Sequence, residues 1–441
     1  MSLIQKIIDS GIVGAGGAGF PTHEKLKGKV EYLIINAAEC EPLLQSDQYI
    51  MREKADAVIK GIGYVLDVIK ADKVVIGLKG KYKKEIEALK KAIKKSKIRI
   101  ELFESKSFYP YGDEHIMVEM IVKRSVPPGG IPLDVGCVTL NITTVSQIAE
   151  AVDSNKPVIE KIITVTGEIN NPMLMSVPIG ISIKECLDAC GGVKHDDFHV
   201  VIGGPMMGKV INSDEIESAY ITKTDGALIV LPQNHYLVRR QNVDVHRIIR
   251  QAHTACIQCR FCTDLCPRYL IGHNLQPHLI MRNVGRLSVN QDVLKEALIC
   301  SECGICEMYA CPMGLSPRMV NIHVKEIFKN KEERYTKQTG DIESKREING
   351  RRIPTERLIA RLNLSKYKKY SFNKARNIET KTVVIYLQQH IGVPSVPIVK
   401  VGDLVRKGDL IAARKGLGAN IHASIDGKVT EVCKKYIKLG H

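Results

Sequence analysis

No uninterrupted apolar run in this chain is long enough to cross a bilayer, and its first residues carry no signal-peptide pattern. Direct membrane insertion is therefore not expected, and the chain reads as cytoplasmic. Aromatic residues make up only 5% of the sequence, and tryptophan is absent. No stretch interleaves aromatic with basic residues and no nucleic-acid recognition module is evident, so nucleic acid is not an expected partner. The formal net charge of +16 then points to acidic partners, or simply to a lysine-rich surface. Without a secretion signal, thirteen cysteines are poor candidates for a disulfide framework. They fit metal ligation in a reducing compartment better. Eight fall between Cys256 and Cys311; the others are Cys40, Cys137, Cys186, Cys190 and Cys433.

A chain of 441 residues is too long for one compact core. The pattern predicts a multidomain α/β protein. Residues 1–150 alternate strand-like and helix-like periods, which predicts an α/β domain with a sheet covered by helices. A glycine-rich loop, Gly11 to Thr22, follows its first short helix, and a helix is expected over 48–69. Residues 158–215 read as a compact β-rich unit with one helix at Ser182–Ala189. Residues 245–325 hold the clustered cysteines, and residues 326–375 read as a densely charged, solvated connector. Residues 380–438 are short strands punctuated by Gly/Asp turns, the pattern of a small sandwich or barrel.

The cysteine spacing is specific. Cys256-x2-Cys259-x2-Cys262-x3-Cys266-Pro267 is followed by Cys300-x2-Cys303-x2-Cys306-x4-Cys311-Pro312. Three closely spaced thiolates wrap three irons of a cubane, and the fourth iron takes a cysteine from the other motif. This assigns Cys256, Cys259, Cys262 and Cys311 to one [4Fe–4S] cluster, and Cys300, Cys303, Cys306 and Cys266 to the other. Structural zinc would explain paired CxxC motifs. It does not explain the third cysteine and the Cys-Pro ending, each occurring twice.

Taken alone, the glycine loop suits either close approach to a phosphate or flat ring, or a structural turn. Its surroundings decide more. Gly14-Ala-Gly-Gly-Ala-Gly-Phe-Pro-Thr22 with Lys25, and Asn36-Ala-Ala-Glu39-Cys-Glu41-Pro42, resemble the flavoprotein subunit of respiratory NADH dehydrogenase. The blocks Tyr109–Glu114, Val126–Pro132, Asn141 with Thr144, Val165–Gly167 and Gly203–Gly208, together with the cysteine pair, extend the likeness over nearly the whole chain. They resemble the RnfC component of the Rnf electron-transport complex and its soluble relatives. Those relatives include microcompartment cobalamin reductase and the electron-transfer protein of proline reductase.

The resemblance implies an α/β flavin domain, a β-grasp domain, a ferredoxin-like two-cluster helical domain and a C-terminal barrel-sandwich domain. It implies FMN and NADH in the first of these. Gly14, Gly16, Gly17 and Gly19 would shape the pocket, and Lys25 would meet the phosphate. Asn36, Glu39, Glu41, Glu114, Asn141 and Thr144 would line the flavin or nicotinamide side, with Phe20 near the rings. Ala38, Cys40, His23 and His115 depart from the relatives' residues, which bears on NADH more than on FMN. The β-grasp unit is expected to act as a spacer. The implied path is NADH to FMN, then a first and a second cluster, then a partner protein; the sequence does not identify the exit cluster. The expected acceptor is proline reductase or a corrinoid enzyme. Two other readings are a peripheral subunit of an Rnf-type membrane complex and a ferredoxin-like adaptor with a vestigial flavin site. The location implied is cytoplasmic, at a membrane through a complex, or inside a bacterial microcompartment.

Overall fold

A computed structural model describes residues 1–241, 243–285 and 290–440. The first unit is built on four parallel strands in the order Glu101–Ser105, Ala71–Lys79, Val30–Ala37, Cys137–Asn141. Leu33, Ile34 and Ile35 are consecutive and all fully buried. A strand with no polar alternation belongs in the middle of a sheet covered on both faces. Helices Ala55–Ile69 and Ile142–Ser154 cover one face. They approach closely because Gly61 presents no Cβ to the Val145 carbonyl. The helix expected over 48–69 is two helices, Ser46–Glu53 and Ala55–Ile69, separated at Lys54, where φ is −122°.

The carboxyl ends of these strands determine where a site forms. Asn36, Lys79 and Asn141 stand at or beside the ends of three neighbouring strands. The glycine loop folds over the same edge, and open parallel sheets bind ligands at that edge.

The second unit is a six-stranded mixed sheet. Its order is Ala375–Asn377, Met173–Pro178, Glu160–Gly167, Ala227–Pro232, Phe198–Ile202, Lys209–Asn212. One helix, Ile183–Ala189, packs on it, started by a capping box between Ser182 and Glu185. The sheet reaches beyond residue 215: Ala227–Pro232 is a central strand, buried through Leu228, Ile229, Val230 and Leu231. Cys186 and Cys190 sit in its apolar core.

The cysteine-rich region is made of short helices around Ile280, Val320, Val324 and Phe328. The segment expected to be a solvated connector is partly core. Its helix Thr355–Arg361 and the turn after it bury Leu358, Ile359, Leu362, Leu364 and Tyr367. These pack with Tyr109, Ile305 and Met308. Ile353–Pro354 also pairs with Phe108–Tyr109. The apolar residues are few, but they fall at helical spacing and form one stripe.

The last unit packs two antiparallel sheets. One orders Thr382–Tyr386, Tyr436–Gly440, Gly427–Val432 and Leu404–Val405; the other orders Val396–Pro397, Leu410–Ala413 and Ile421–His422. Val383, Ile385, Ile411, Ile421, Val429 and Ile437 fill the space between them.

Candidate cofactor site

A cavity of about 840 Å³ opens where the first, second and cysteine-rich units meet. That volume lies in the range of cofactor pockets, roughly 300–1,000 Å³. The glycine loop forms one wall. It closes on itself through Gly14 N–H to the Phe20 carbonyl (2.9 Å) and Gly19 N–H to the Gly14 carbonyl (3.2 Å). Thr144 Oγ1 accepts from Ala15 N–H at 2.9 Å, and Asn141 lies in van der Waals reach of Gly16. Gly17 has φ +108°, with open space where a Cβ would be. The loop therefore presents bare backbone to the cavity.

An acidic wall faces it. Glu39 and Glu41 line the cavity, as does Asp47. Burial, and next the charge of Asp47, push the Glu39 carboxyl up to about 8. Burial likewise raises Glu41 to about 7, against hydrogen bonds from Met206 and Met207 N–H. Glu41 Oε2 accepts from Met206 N–H at 2.9 Å, while Oε1 has no protein partner. Gly204 must be glycine for this approach, because a Cβ there would overlap the Glu41 carboxyl. Asp47 accepts from Asn141 Nδ2 (3.0 Å) and Thr143 Oγ1 (2.8 Å), and burial raises its pKa.

The second unit closes the cavity and so does more than separate its neighbours. Lys161 reaches in from strand Glu160–Gly167, donating to the Ala15 carbonyl (3.2 Å) and the Lys223 carbonyl (2.9 Å). Tyr220 and Tyr386, the latter from the C-terminal unit, meet edge to face at 6.2 Å on the rim.

The sequence-derived residues divide by position. Gly16, Gly17, Glu39 and Glu41 line the cavity. Gly14, Gly19, Asn141 and Thr144 brace the loop. Asn36 lies behind, with Nδ2 donating to the Gly112 carbonyl at 2.8 Å. Lys25 and Glu114 pair with each other at 3.0 Å, and Glu114 also accepts from Thr139 Oγ1 at 2.8 Å. Burial opposes ionisation of Glu114, but Lys25 and Thr139 outweigh it and the pKa is lowered. Phe20 holds its ring 6.0 Å from Lys25 Nζ. Asp47, Lys79, Asp113 and Lys161 are further polar groups at this site. Lys79 is buried and donates to the Glu39 carbonyl.

Asp113 joins the flavin-loop side to the cysteines. It caps helix Glu114–Val122 and pairs with Arg268 at 2.9 Å, both side chains being mostly buried. Arg268 follows Cys266-Pro267 directly. Tyr109 Oη donates to the Cys303 carbonyl at 2.7 Å, and Cys303 itself lines the large cavity.

The cysteines fall into two groups. Cys256, Cys259, Cys262 and Cys311 line one small cavity. Burial, and then the neighbouring Cys311, Cys256 and Cys259, push the Cys262 thiol up to about 12. Burial, and then Cys266 with Cys300 beyond it, raise the Cys303 thiol. Among the described residues, no three His, Cys, Asp or Glu side chains converge as on a single metal ion. A cubane spreads its thiolates around its corners instead, and two sets of four soft sulfur donors suit iron–sulfur clusters.

A glycine cradle beside a sheet edge, with one of two cysteine groups reaching its cavity through Cys303 and the other lining a cavity of its own, is the arrangement of a flavo-iron–sulfur electron-transfer protein. The chain belongs to the RnfC-like family. Family models match along it: Nuo51 FMN-binding domain over residues 7–150, SLBB domain over 162–210, 4Fe-4S dicluster domain over 255–316, and RnfC Barrel sandwich hybrid domain over 362–441. The cobalamin reductase PduS of Salmonella typhimurium is 40% identical over 98% of this chain and 95% of its own length. A component of the proton-translocating ferredoxin:NAD(+) oxidoreductase complex of Clostridium ljungdahlii is 34% identical, over 60% of this chain and 55% of its own. An NAD+-reducing [NiFe]-hydrogenase structure shares the fold with a TM-score of 0.50 at 19% identity, covering 74% of this chain and 61% of that one. FMN and two [4Fe–4S] clusters are thus the cofactors, and a protein is the electron partner. Among the described residues, no helix is long and apolar enough to cross a membrane.

Proposed function

We propose that this chain takes electrons from NADH and delivers them, through FMN and then two [4Fe–4S] clusters, to a corrinoid enzyme. One observation carries the reading: a single cavity is bounded by the glycine loop, by an acidic wall and by Cys303. FMN would supply the exchange between a two-electron donor and one-electron clusters. Gly16 and Gly17 would cradle it, with Asn141 and Thr144 bracing the loop. Lys25, held by Glu114, would serve the phosphate. Cys300, Cys303, Cys306 and Cys266 would hold the cluster nearest the cavity, and Cys256, Cys259, Cys262 and Cys311 the cluster beyond it. The exit is therefore the Cys256 group. A hydride brings one proton more than the clusters accept. Glu39 and Glu41, which change protonation near neutral pH, are the lining groups suited to hold it.

The corrinoid acceptor is preferred to proline reductase because the relative named as a cobalamin reductase aligns along almost the entire chain. The reading as a peripheral subunit of an ion-translocating complex rests on a relative that covers 60% of the chain. The test is an anaerobic NADH titration of FMN- and cluster-loaded protein, followed by visible absorbance and EPR. Flavin bleaching with reduction of both clusters is expected. Clusters that respond to dithionite but not to NADH would remove NADH as donor.

A further inference from the structure

The two cysteine motifs share one local backbone but differ in what covers them. Gln258 and Glu302, each just before the second cysteine, have φ +55° and +58°. Arg260 and Gly304, each just after it, have φ +67° and +79°. These turns point the cysteines inward and the intervening side chains outward. In the second motif the outward side is covered. Ile305 is 1% exposed and packs in one core cluster with Met206, and Gly304 meets the Met206 carbonyl. Ser301 faces the flavin cavity.

In the first motif the same positions are bare. Ile257, matching Ser301, is 62% exposed, and Phe261, matching Ile305, is 51% exposed. Met313, just past Cys311, is 47% exposed, and its loop is pinned by Arg240, which donates to the Leu315 carbonyl at 2.7 Å. Exposed apolar side chains beside a cysteine group that is itself half-buried at Cys256 and Cys259 suit a contact surface. Beside them, Arg260 and Arg351 share one carboxylate, Asp264, at 3.5 and 3.2 Å, so positive charge is left over. Arg260 also occupies a left-handed position where the other motif has glycine, and its guanidinium reaches Asp264 and Tyr269 Oη only at 3.5 and 3.3 Å.

We propose that the electron-accepting protein docks on Ile257, Phe261 and Met313, over the Cys256–Cys311 group. The partner presents an apolar face with an acidic rim, which Arg260 engages. This rests on the electron-transfer reading above and deepens it. In the covered motif a neighbouring part of the same chain occupies the position of this partner. One electron passes from the reduced cluster to the partner's oxidised centre, and no bond is made or broken.

The experiment reduces the holoprotein with dithionite, removes the excess, and mixes it anaerobically with haem-protein probes. Cytochrome b5 serves as an acidic probe, cytochrome c as a basic one, and ferricyanide as a small acceptor. Because NADH is bypassed, failure of the donor assignment cannot mimic failure here. Phe261→Ser with Met313→Ser should slow reduction of cytochrome b5 about tenfold and leave ferricyanide unchanged, since the transfer then loses only its docking surface. Arg260→Gly places at this left-handed position the residue that the other motif has there, so the backbone turn is kept without strain. It should slow cytochrome b5 several-fold, flatten its salt dependence and speed cytochrome c. Unchanged rates with both haem proteins in Arg260→Gly, its cluster EPR intact, would overturn the proposal. So would a parallel loss with ferricyanide in that variant.

Discussion

Replacing Asp113 by asparagine tests whether one buried ion pair locks the flavin side to the cluster side. Asp113 Oδ1 receives three donors: Arg268 Nη1 at 2.9 Å, His115 N–H at 2.9 Å and Ile116 N–H at 3.3 Å. Asparagine retains a capping oxygen, so the helix start survives, whereas alanine would lose it at about 1 kcal/mol. Both remove the counter-charge. Arg268 is 9% exposed and would be left buried and unpaired. Breaking a buried pair from one side costs about 3–5 kcal/mol. Asp113→Asn should therefore lower the stability of the holoprotein by about 3 kcal/mol, and Asp113→Ala by about 1 kcal/mol more. The assay is anaerobic urea denaturation followed by cluster absorbance, comparing midpoints at constant slope. Arg268→Met in the Asp113→Asn background should recover part of the loss, because the orphaned charge is gone. If Asp113→Asn stays within about 0.5 kcal/mol of the parent, the size of an ordinary surface change, the pair does not join the two units.

Three further outcomes are expected. Cys256→Ser should leave the Cys300-group cluster reducible by NADH, while Cys303→Ser should block NADH reduction of both clusters; spin-quantified EPR separates the two. Glu39 is raised from its ordinary 4.5 to about 8, so the folded state keeps a proton that the unfolded chain releases. Its contribution to stability is fully present below about 4.5 and lost as pH rises to about 8; Glu39→Gln should flatten that fall in urea midpoints of the cofactor-free protein. Burial lowers Lys223 from 10.5 to about 7, which has the opposite sign. Stability there rises with pH between about 7 and 10.5, and Lys223→Met should remove that rise while losing two hydrogen bonds.

Features set by local pattern were readable in the sequence. The alternating periods of residues 1–150 foretold a sheet covered by helices, and that sheet is present as four parallel strands. The cysteine spacing foretold two thiol groups because ligation demands that spacing. Features set by long-range packing were not readable. Lys161 is an ordinary strand lysine until folding brings it to the Ala15 carbonyl, 146 positions away. Tyr386 reaches the cavity rim only because the last unit docks on the second. The stripe of Leu358, Ile359 and Leu362 was masked by the charged residues averaged around it. Ala227–Pro232 is itself an apolar run, but it lies past residue 215, where the second unit reads as ending.

Lys223 Nζ, fully buried, bonds the carbonyls of Gly11 at 2.7 Å and Asn420 at 2.9 Å. Its own N–H donates to Gln389 Oε1 at 2.9 Å, and Ile391 N–H donates to the Gly19 carbonyl at 3.0 Å. The flavin loop is thus buttressed by residues that follow it far downstream in the chain. On the ribosome, the first unit can fold its sheet long before this buttress exists. Chains cut short before residue 389 would carry the sheet but an unbraced loop.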